Sequence, residues 1–344
     1  MSKFLITGGT GFIGTNYLHY VVNKYPTDFF VCVDSLTYAG NYNNIKELET
    51  KENYKFYKID IRNQEDILEL SISEKFDYVI NFAAEFHVDN SIKNPNIFAE
   101  TNILGTMNLL NATRYMNENT EYYTQKFHQV STDEVYGDLP LNRLELKFNE
   151  NSKIITSSPY LASKAGADLQ LLAYFKTYNL PITISRCSNN YGPYQHSEKL
   201  IPLVIKNTIK KNAINDNNIP IYGTGANVRD WIHVYDHNVA IDLIVRNGKN
   251  GEIYNIGGNT KKNKLEVVKT ILKYLNKNEN LITFVKDRPE HDKRYTMNTT
   301  KIEKKLGWKC KYNFEECIKE TIEWYFNNLN WLNNSKVEKY NEEE

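Results

Sequence analysis

Apolar residues in the first half of the chain come in short runs, each followed by a longer stretch with apolar positions at helical spacing. Short runs bounded by turn residues read as strands buried on both faces, and the longer stretches read as helices. The pattern predicts strands at Lys3–Thr7, Phe29–Val33, Tyr54–Lys58, Tyr78–Asn81, Phe127–Val130 and Pro181–Arg186. It predicts one helix from Phe12 and another from Pro159, whose proline suits a first helical turn. Strands alternating with helices build right-handed crossovers and a parallel sheet. After Cys187 the rhythm changes. Ser188–Arg229 carries the turn signals Tyr191-Gly192-Pro193 and Gly223-Thr224-Gly225 and reads as an excursion from the sheet. Ile253–Ile256 reads as a strand returning to it, and Glu266–Leu275 and Tyr312–Leu329 read as helices.

Gly8, Gly11 and Gly14 follow the first strand directly, in the run Thr7-Gly8-Gly9-Thr10-Gly11-Phe12-Ile13-Gly14. Glycine permits a tight turn and lets backbone N–H groups approach a pyrophosphate at the positive end of a helix. A lone glycine turn is weak evidence, but here it sits between a predicted strand and a predicted helix. Asp34 ends the second strand, twenty residues after Gly14. A carboxylate there accepts hydrogen bonds from both ribose hydroxyls of adenosine and repels the extra phosphate of NADP. The bland alternative is a solvated strand-end aspartate. Together the two features point to NAD, with Asp60-Ile61 placed to flank the adenine. The fold class is α/β, a Rossmann-type doubly wound parallel sheet with a smaller, discontinuous α/β substrate-binding domain. The expected division is 1–187 and 230–258 for the dinucleotide, 188–229 and 259–330 for the substrate, and 331–344 as a frayed tail.

Tyr160 and Lys164 stand four apart and share one face of the helix predicted from Pro159. An ammonium beside a phenol lowers its pKa from about 10, and the tyrosinate then takes a proton from a sugar hydroxyl as hydride leaves the same carbon. Taken alone the pair is weak, since the chain holds 25 tyrosines. Ser131-Thr132-Asp133-Glu134 closes the strand before that helix. One reading is a capping box, with Ser131 as N-cap and Glu134 three residues on. The other is chemical. Residues at the carboxyl ends of parallel strands line the ligand crevice, where one acid keeps its proton while its neighbour acts as a base.

Composition narrows the partners. Lys+Arg and Asp+Glu number 42 each, a balance that argues against nucleic acid. Cys32, Cys187, Cys310 and Cys317 form no paired spacing, so neither a metal site nor a disulfide framework is expected. No apolar run approaches the roughly 18 residues of a membrane span, and the first strand leaves no room for a signal peptide. The expectation is a cytoplasmic protein with no membrane partner.

These residues resemble the extended short-chain dehydrogenase/reductase family, and within it the nucleotide-sugar 4,6-dehydratases of the dTDP-glucose/UDP-glucose type. The likeness is carried by Leu36 through Asn41, Ala83-Ala84-Glu85, His87-Val88-Asp89, Ser131 through Pro140, Ser188 through Tyr194, Glu198 through Pro202, Asn227 through Trp231 and Asp287-Arg288-Pro289. It spans about residues 3–328. Thr132-Asp133-Glu134 is its most specific part, because related epimerases carry small hydroxyl residues in place of the two acids.

The resemblance implies a redox-neutral conversion of UDP-glucose or dTDP-glucose to the 4-keto-6-deoxy sugar, a step toward rhamnose-type deoxysugars. Tyr160, helped by Lys164 and Thr132, oxidises carbon 4 with NAD. Glu134 then removes the hydrogen on carbon 5 while Asp133 protonates the hydroxyl leaving carbon 6, after which the hydride returns to carbon 6 and carbon 5 is reprotonated. NAD is expected against Gly8, Gly11, Phe12, Ile13, Gly14, Asp34, Ser35, Leu36, Thr37, Asp60, Ile61, Ala83, Ala84, Glu85, Thr101, Tyr160 and Lys164. The sugar nucleotide is expected against Phe86, His87, Thr132, Asn189, Asn190, Lys199, Leu200, Tyr222, Arg229, Asn263, Arg288 and His291. The guanidiniums of Arg229 and Arg288 suit the diphosphate. A homodimer through helices near Phe98–Asn117 and Tyr160–Tyr178 is also implied.

Phe86, Asn90, His196-Ser197 and Glu290 depart from the bacterial pattern. Asn90, within His87-Val88-Asp89-Asn90-Ser91, resembles eukaryotic UDP-glucose dehydratases and suggests that UDP-glucose is used at least as well as dTDP-glucose. The competing readings are an epimerase or decarboxylase on the same fold, and a non-catalytic NAD-binding scaffold. The first does not need both acids, and the second needs none of the reactive residues.

Overall fold

A computed structural model describes residues 1–209, 219–287 and 292–334. Twelve strands are found among them: β1 Lys3–Thr7, β2 Phe29–Asp34, β3 Tyr54–Lys58, β4 Tyr78–Asn81, β5 Lys126–Thr132, β6 Ile182–Cys187, β7 Asn189–Tyr191, β8 Ile219–Tyr222, β9 Val228–His233, β10 Glu252–Ile256, β11 Thr260–Asn263 and β12 Ile282–Val285. Seven form one parallel sheet in the order β10-β6-β5-β4-β1-β2-β3. Chain direction across the sheet reverses between β1 and β4, and open α/β sheets bind ligands at such a reversal.

Alternation along the strands fills both faces. Leu5, Val31 and Ile184 pack against Leu70, Leu109, Leu110 and Leu171 of the helices Gln64–Glu74, Thr106–Asn119 and Pro159–Tyr178. Phe4, Ile6, Phe30 and Cys32 face the other way, onto Tyr17, Leu18 and Val21 of the helix Phe12–Lys24 and Ile241 and Val245 of the helix Val234–Asn247. Beneath the reversal point runs a buried polar chain that hydropathy does not reveal. Thr7 Oγ1 donates to Asn81 Oδ1 at 2.6 Å, and Asn81 Nδ2 donates to Gln129 Oε1 at 2.9 Å.

The excursion after Cys187 builds a smaller unit. β7, β9 and β11 form one sheet and β8 with β12 another. Their core is Val204, Ile205, Val267, Ile271, Ile318 and Ile322 from the helices Leu200–Ile209, Lys264–Tyr274 and Phe314–Asn327. The boundary expected at residue 230 falls inside β9. All of that strand bonds to β7 and β11, so it belongs with the small sheet. Of the tail expected from residue 331, Trp331–Asn334 instead continue a helix from Leu329, and the remainder lies outside the described residues.

The helix expected near Phe98–Asn117 is present, within a continuous helical stretch from Pro95 to Asn119 whose winding changes along its length. Pro95–Phe98 leads into a wider turn with π-type bonding, Ala99–Gly105, before Thr106–Asn119 resumes α geometry. Such insertions occur preferentially at functional sites. Here it sets Asn102 between chains: its Oδ1 accepts from the Glu85 N–H at 2.8 Å and its Nδ2 donates to Ser163 Oγ at 2.8 Å. Among the described residues, no helix is long and apolar enough to cross a membrane.

Candidate active site

A cleft of about 1240 Å³ opens over the carboxyl ends of β1, β2, β4 and β5 and is closed from above by the smaller unit. Gly8, Gly11, Phe12, Ile13 and Gly14 line it, as do Asp34, Ser35, Leu36 and Thr37 after β2, Asp60 and Ile61 after β3, and Ala83, Ala84, Glu85 and Thr101. The glycines are required by the backbone. Gly8 has φ +69°, and a Cβ there would lie 2.5 Å from the Ala83 N. A Cβ on Gly14 would lie 2.3 Å from the Gly8 O. Asp34 is held by two N–H groups, from Thr10 at 3.0 Å and from Leu36 at 2.8 Å. Both bonds aim its carboxylate into the cleft beside the glycine turn. This cradle fits a dinucleotide.

The reactive candidates stand on the opposite wall. β5 runs two residues beyond its predicted end and delivers Thr132 to the cleft. Thr132, rather than Ser131, caps the short helix Asp133–Tyr136. Its Oγ1 accepts from the Glu134 N–H at 3.2 Å, so the expected Ser131–Glu134 capping box is not formed. Asp133 is 1% exposed and its Oδ2 has no partner. Burial, then the neighbouring Glu134 and Asp230, push its pKa well above the usual carboxylate range, which favours the protonated form.

The helix Pro159–Tyr178 is capped by Ser158, whose Oγ accepts from the Leu161 N–H at 3.3 Å. It brings Tyr160 and Lys164 to the cleft. Their electrostatics differ from the expectation. The Tyr160 phenol is raised, not lowered, first by burial and then by the nearby carboxyl groups of Glu134, Asp133 and Asp168. Lys164 donates to the Val130 O at 2.8 Å, and burial lowers its own pKa to about 8.

Phe86, His87, Asn189, Asn190, Lys199, Leu200, Tyr222 and Arg229 also line the cleft. Lys199 Nζ sits 4.4 Å from the Phe86 ring centre, so the departure at Phe86 places an aromatic face under a cation. Arg229 lies over Tyr295 at 4.4 Å and donates to the Asp292 O at 3.0 Å. Asn263 does not belong here. Its side chain accepts from the Glu266 N–H at 2.8 Å while Glu266 returns a bond to the Asn263 N–H, a reciprocal helix cap outside the cleft lining. Arg288, Glu290 and His291 lie outside the described residues.

Of a second ring of buried polar atoms, sequence reading expected only Asn189 at the site. Ser131 Oγ, Ser188 Oγ, Asn189 Oδ1 and His237 Nε2 are buried, line the cleft and have no protein partner. Buried polar atoms are nearly always satisfied, so such a cluster around Asp133 marks a place for a polar ligand. His237 Nδ1 pairs with Asn190 Oδ1 at 2.9 Å, and Asn190 Nδ2 donates to the Ser188 O at 3.0 Å. His237 lies in a helix that also carries Asp236, Asn238 and Asp242, so nothing in the sequence singles it out.

Residues 5–321 match the family described as GDP-mannose 4,6 dehydratase. A dTDP-glucose 4,6-dehydratase of Escherichia coli is 44% identical over 354 residues, covering 98% of this chain and 96% of the relative. One from Haemophilus influenzae is 44% identical over 344 residues, covering 95% and 99%. The crystal structure of dTDP-glucose 4,6-dehydratase from Bacillus anthracis in complex with NAD matches with a TM-score of 0.88 at 42% identity, over 98% of this chain and 100% of that one. UDP-glucose 4-epimerase of Thermotoga maritima, in complex with UDP-glucose, matches with a TM-score of 0.84 at 26% identity, over 95% and 99%.

Proposed function

Because this chain belongs to the nucleotide-sugar 4,6-dehydratases of the extended short-chain dehydrogenase/reductase family, we propose that it removes water from a nucleoside-diphosphate glucose to give the 4-keto-6-deoxy sugar. It is an NAD-dependent hydro-lyase on this reading. The observation that carries it is the Asp133–Glu134 pair, set at the end of β5 in the same cleft as Tyr160 and Lys164. An epimerase has no use for two acids there, and a scaffold has no use for any of the four.

Bound NAD supplies a positively charged nicotinamide and stores one hydride between the first and last steps, so the sequence is redox-neutral. Tyr160 takes the proton of the hydroxyl on carbon 4, with the Thr132 hydroxyl and the Lys164 ammonium beside it. The new ketone acidifies the hydrogen on carbon 5. Glu134 removes it, the carbon–oxygen bond at carbon 6 breaks, and Asp133 gives its proton to the departing hydroxyl, which leaves as water. Asp133 is suited to this role by its burial and raised pKa.

We assign the dinucleotide to the large sheet and the sugar nucleotide to the smaller unit, with Arg229 at the diphosphate. The homodimer is supported by exposed apolar residues on the two long helical stretches, Leu104 and Tyr115 on one and Leu169 and Tyr178 on the other. For the base we propose that UDP-glucose serves at least as well as dTDP-glucose. Asn90, the marker for this, is absent from the cleft lining and acts as a family signature only. One methyl group separates the two bases, and a contact to such a group is worth only ~1–3 kcal/mol. Incubation with each sugar nucleotide separately, with kcat/KM measured side by side, tests both levels. Loss of one water from either supports the activity. A preference for dTDP-glucose of about tenfold or more, some 1.4 kcal/mol, overturns the base assignment alone.

A further inference from the structure

The last described helix, Leu329–Asn334, reaches back across the molecule to the dinucleotide cleft, where Asn330, Trp331 and Asn334 form part of the lining. Trp331 has two kinds of contact. Its ring packs in an aromatic group of the smaller unit, with Trp324 at 5.4 Å, Tyr194 at 6.0 Å and Tyr325 at 6.1 Å. Tyr325 anchors that group by donating to the Gln195 O at 3.0 Å. The indole N–H of Trp331 points the other way and donates to Asn44 Oδ1 at 2.6 Å.

Asn44 is 5% exposed and belongs to the segment after β2. Its Nδ2 donates to the Thr10 O at 3.4 Å, and its own O bonds His19 Nε2 at 2.7 Å. Thr10 lies inside the glycine turn, and its N–H donates to Asp34 Oδ2 at 3.0 Å. A single line of hydrogen bonds therefore runs from Trp331 through Asn44 and Thr10 to Asp34. It ties the smaller unit to the two loops that would hold the dinucleotide. An indole suits the position, since it offers a large apolar face to one side and a donor to the other.

We propose that the helix Leu329–Asn334 is a clasp on the dinucleotide cleft, with Trp331 and Asn44 as positioning residues that slow release of the dinucleotide. The inference rests on the reading above, in which NAD stays bound through a redox-neutral cycle. Such a cycle needs retention, because a dinucleotide lost in its reduced form leaves the sugar oxidised at carbon 4 with carbon 6 intact.

The test is exchange of bound NAD, labelled in its adenine, against excess unlabelled NAD. The unaltered protein is compared with Trp331→Phe, Asn44→Ala, the double variant, and Trp324→Phe as a control for aromatic packing. Trp331→Phe and Asn44→Ala should each speed release about fivefold or more, the scale of one lost hydrogen bond. The double variant should release no faster than Asn44→Ala, because Trp331→Phe removes only a bond that Asn44→Ala already removes. Trp324→Phe should stay close to the unaltered rate. Unchanged release in Trp331→Phe, multiplication of the two single effects, or equal acceleration by Trp324→Phe would each overturn the clasp. A protein that shows the expected exchange pattern yet fails to dehydrate any sugar nucleotide would sink the proposed activity and leave the clasp standing.

Discussion

At the residue scale, the proposed chemistry rests on two adjacent acids with different surroundings. Asp133 is buried with a bare oxygen, whereas Glu134 is partly exposed. Environment, not residue type, separates the proton donor from the base. Glu134→Gln should therefore leave oxidation at carbon 4 possible and slow the elimination by ~10²–10⁴-fold. Bound reduced cofactor should build up in rapid-mixing absorbance during a single turnover. Turnover at the unaltered rate would remove Glu134 from the mechanism. The sequence displays these side chains but not their protonation. Tyr160 beside Lys164 suggests a lowered phenol, and only the fold shows that burial and Glu134 dominate instead. Asp230 is a further case. It is fully buried, and burial raises its pKa to about 7. A carboxyl raised in the folded state above its unfolded value of about 3.9 binds its proton more tightly when folded. Its contribution to stability is complete below about pH 4 and is lost as pH rises toward 7. Asp230→Asn abolishes that loss. Urea unfolding at about pH 5 and about pH 8 should show the variant gaining ~2–3 kcal/mol over the unaltered protein between the two. A constant difference across that range would contradict the buried, protonated carboxyl.

Element-scale features divide by how local their cause is. β1 and β4 lie at the residues predicted for them, because their apolar runs are bounded by turns and buried in the sheet, and β3 matches too although it is the half-exposed edge strand. β5 was predicted to stop at Val130, since Ser131 and Thr132 are polar, yet pairing with β6 carries it on to Thr132. β7 and β11 are short and polar, Asn189-Asn190-Tyr191 and Thr260-Lys261-Lys262-Asn263, and only their pairing with β9 makes them strands. Asn263 shows the same limit from the other side. Its place in a family pattern suggests a ligand contact, while Glu266 three residues on signals a helix cap, and the cap is what forms. Asn263→Ala should cost ~1 kcal/mol in urea unfolding and leave the sugar-nucleotide KM nearly unchanged. A large rise in KM without loss of stability would restore Asn263 to the substrate site.

For the molecule as a whole, the cleft draws on residues from Gly8 to Asn334. The glycine turn and Asp34 are legible because they sit in one local motif. His237, Ser188 and Trp331 are not, since Ser188 follows β6 of the large sheet, His237 comes from the helix Val234–Asn247 packed on that sheet and Trp331 from the last described helix, and each reaches the cleft only through tertiary packing. What this assembly encloses is one continuous space with a dinucleotide cradle on one wall and an acid, a base and a tyrosine on the other. That arrangement makes the central claim specific: the hydride taken from carbon 4 must return to carbon 6 of the same sugar. The direct measurement uses sugar nucleotide deuterated at carbon 4, with the product read by mass spectrometry and NMR. The account predicts a product lighter by one water that carries the deuterium in its carbon 6 methyl group, with no free reduced cofactor. A product with its carbon 6 hydroxyl intact, whether oxidised or inverted at carbon 4, would contradict it.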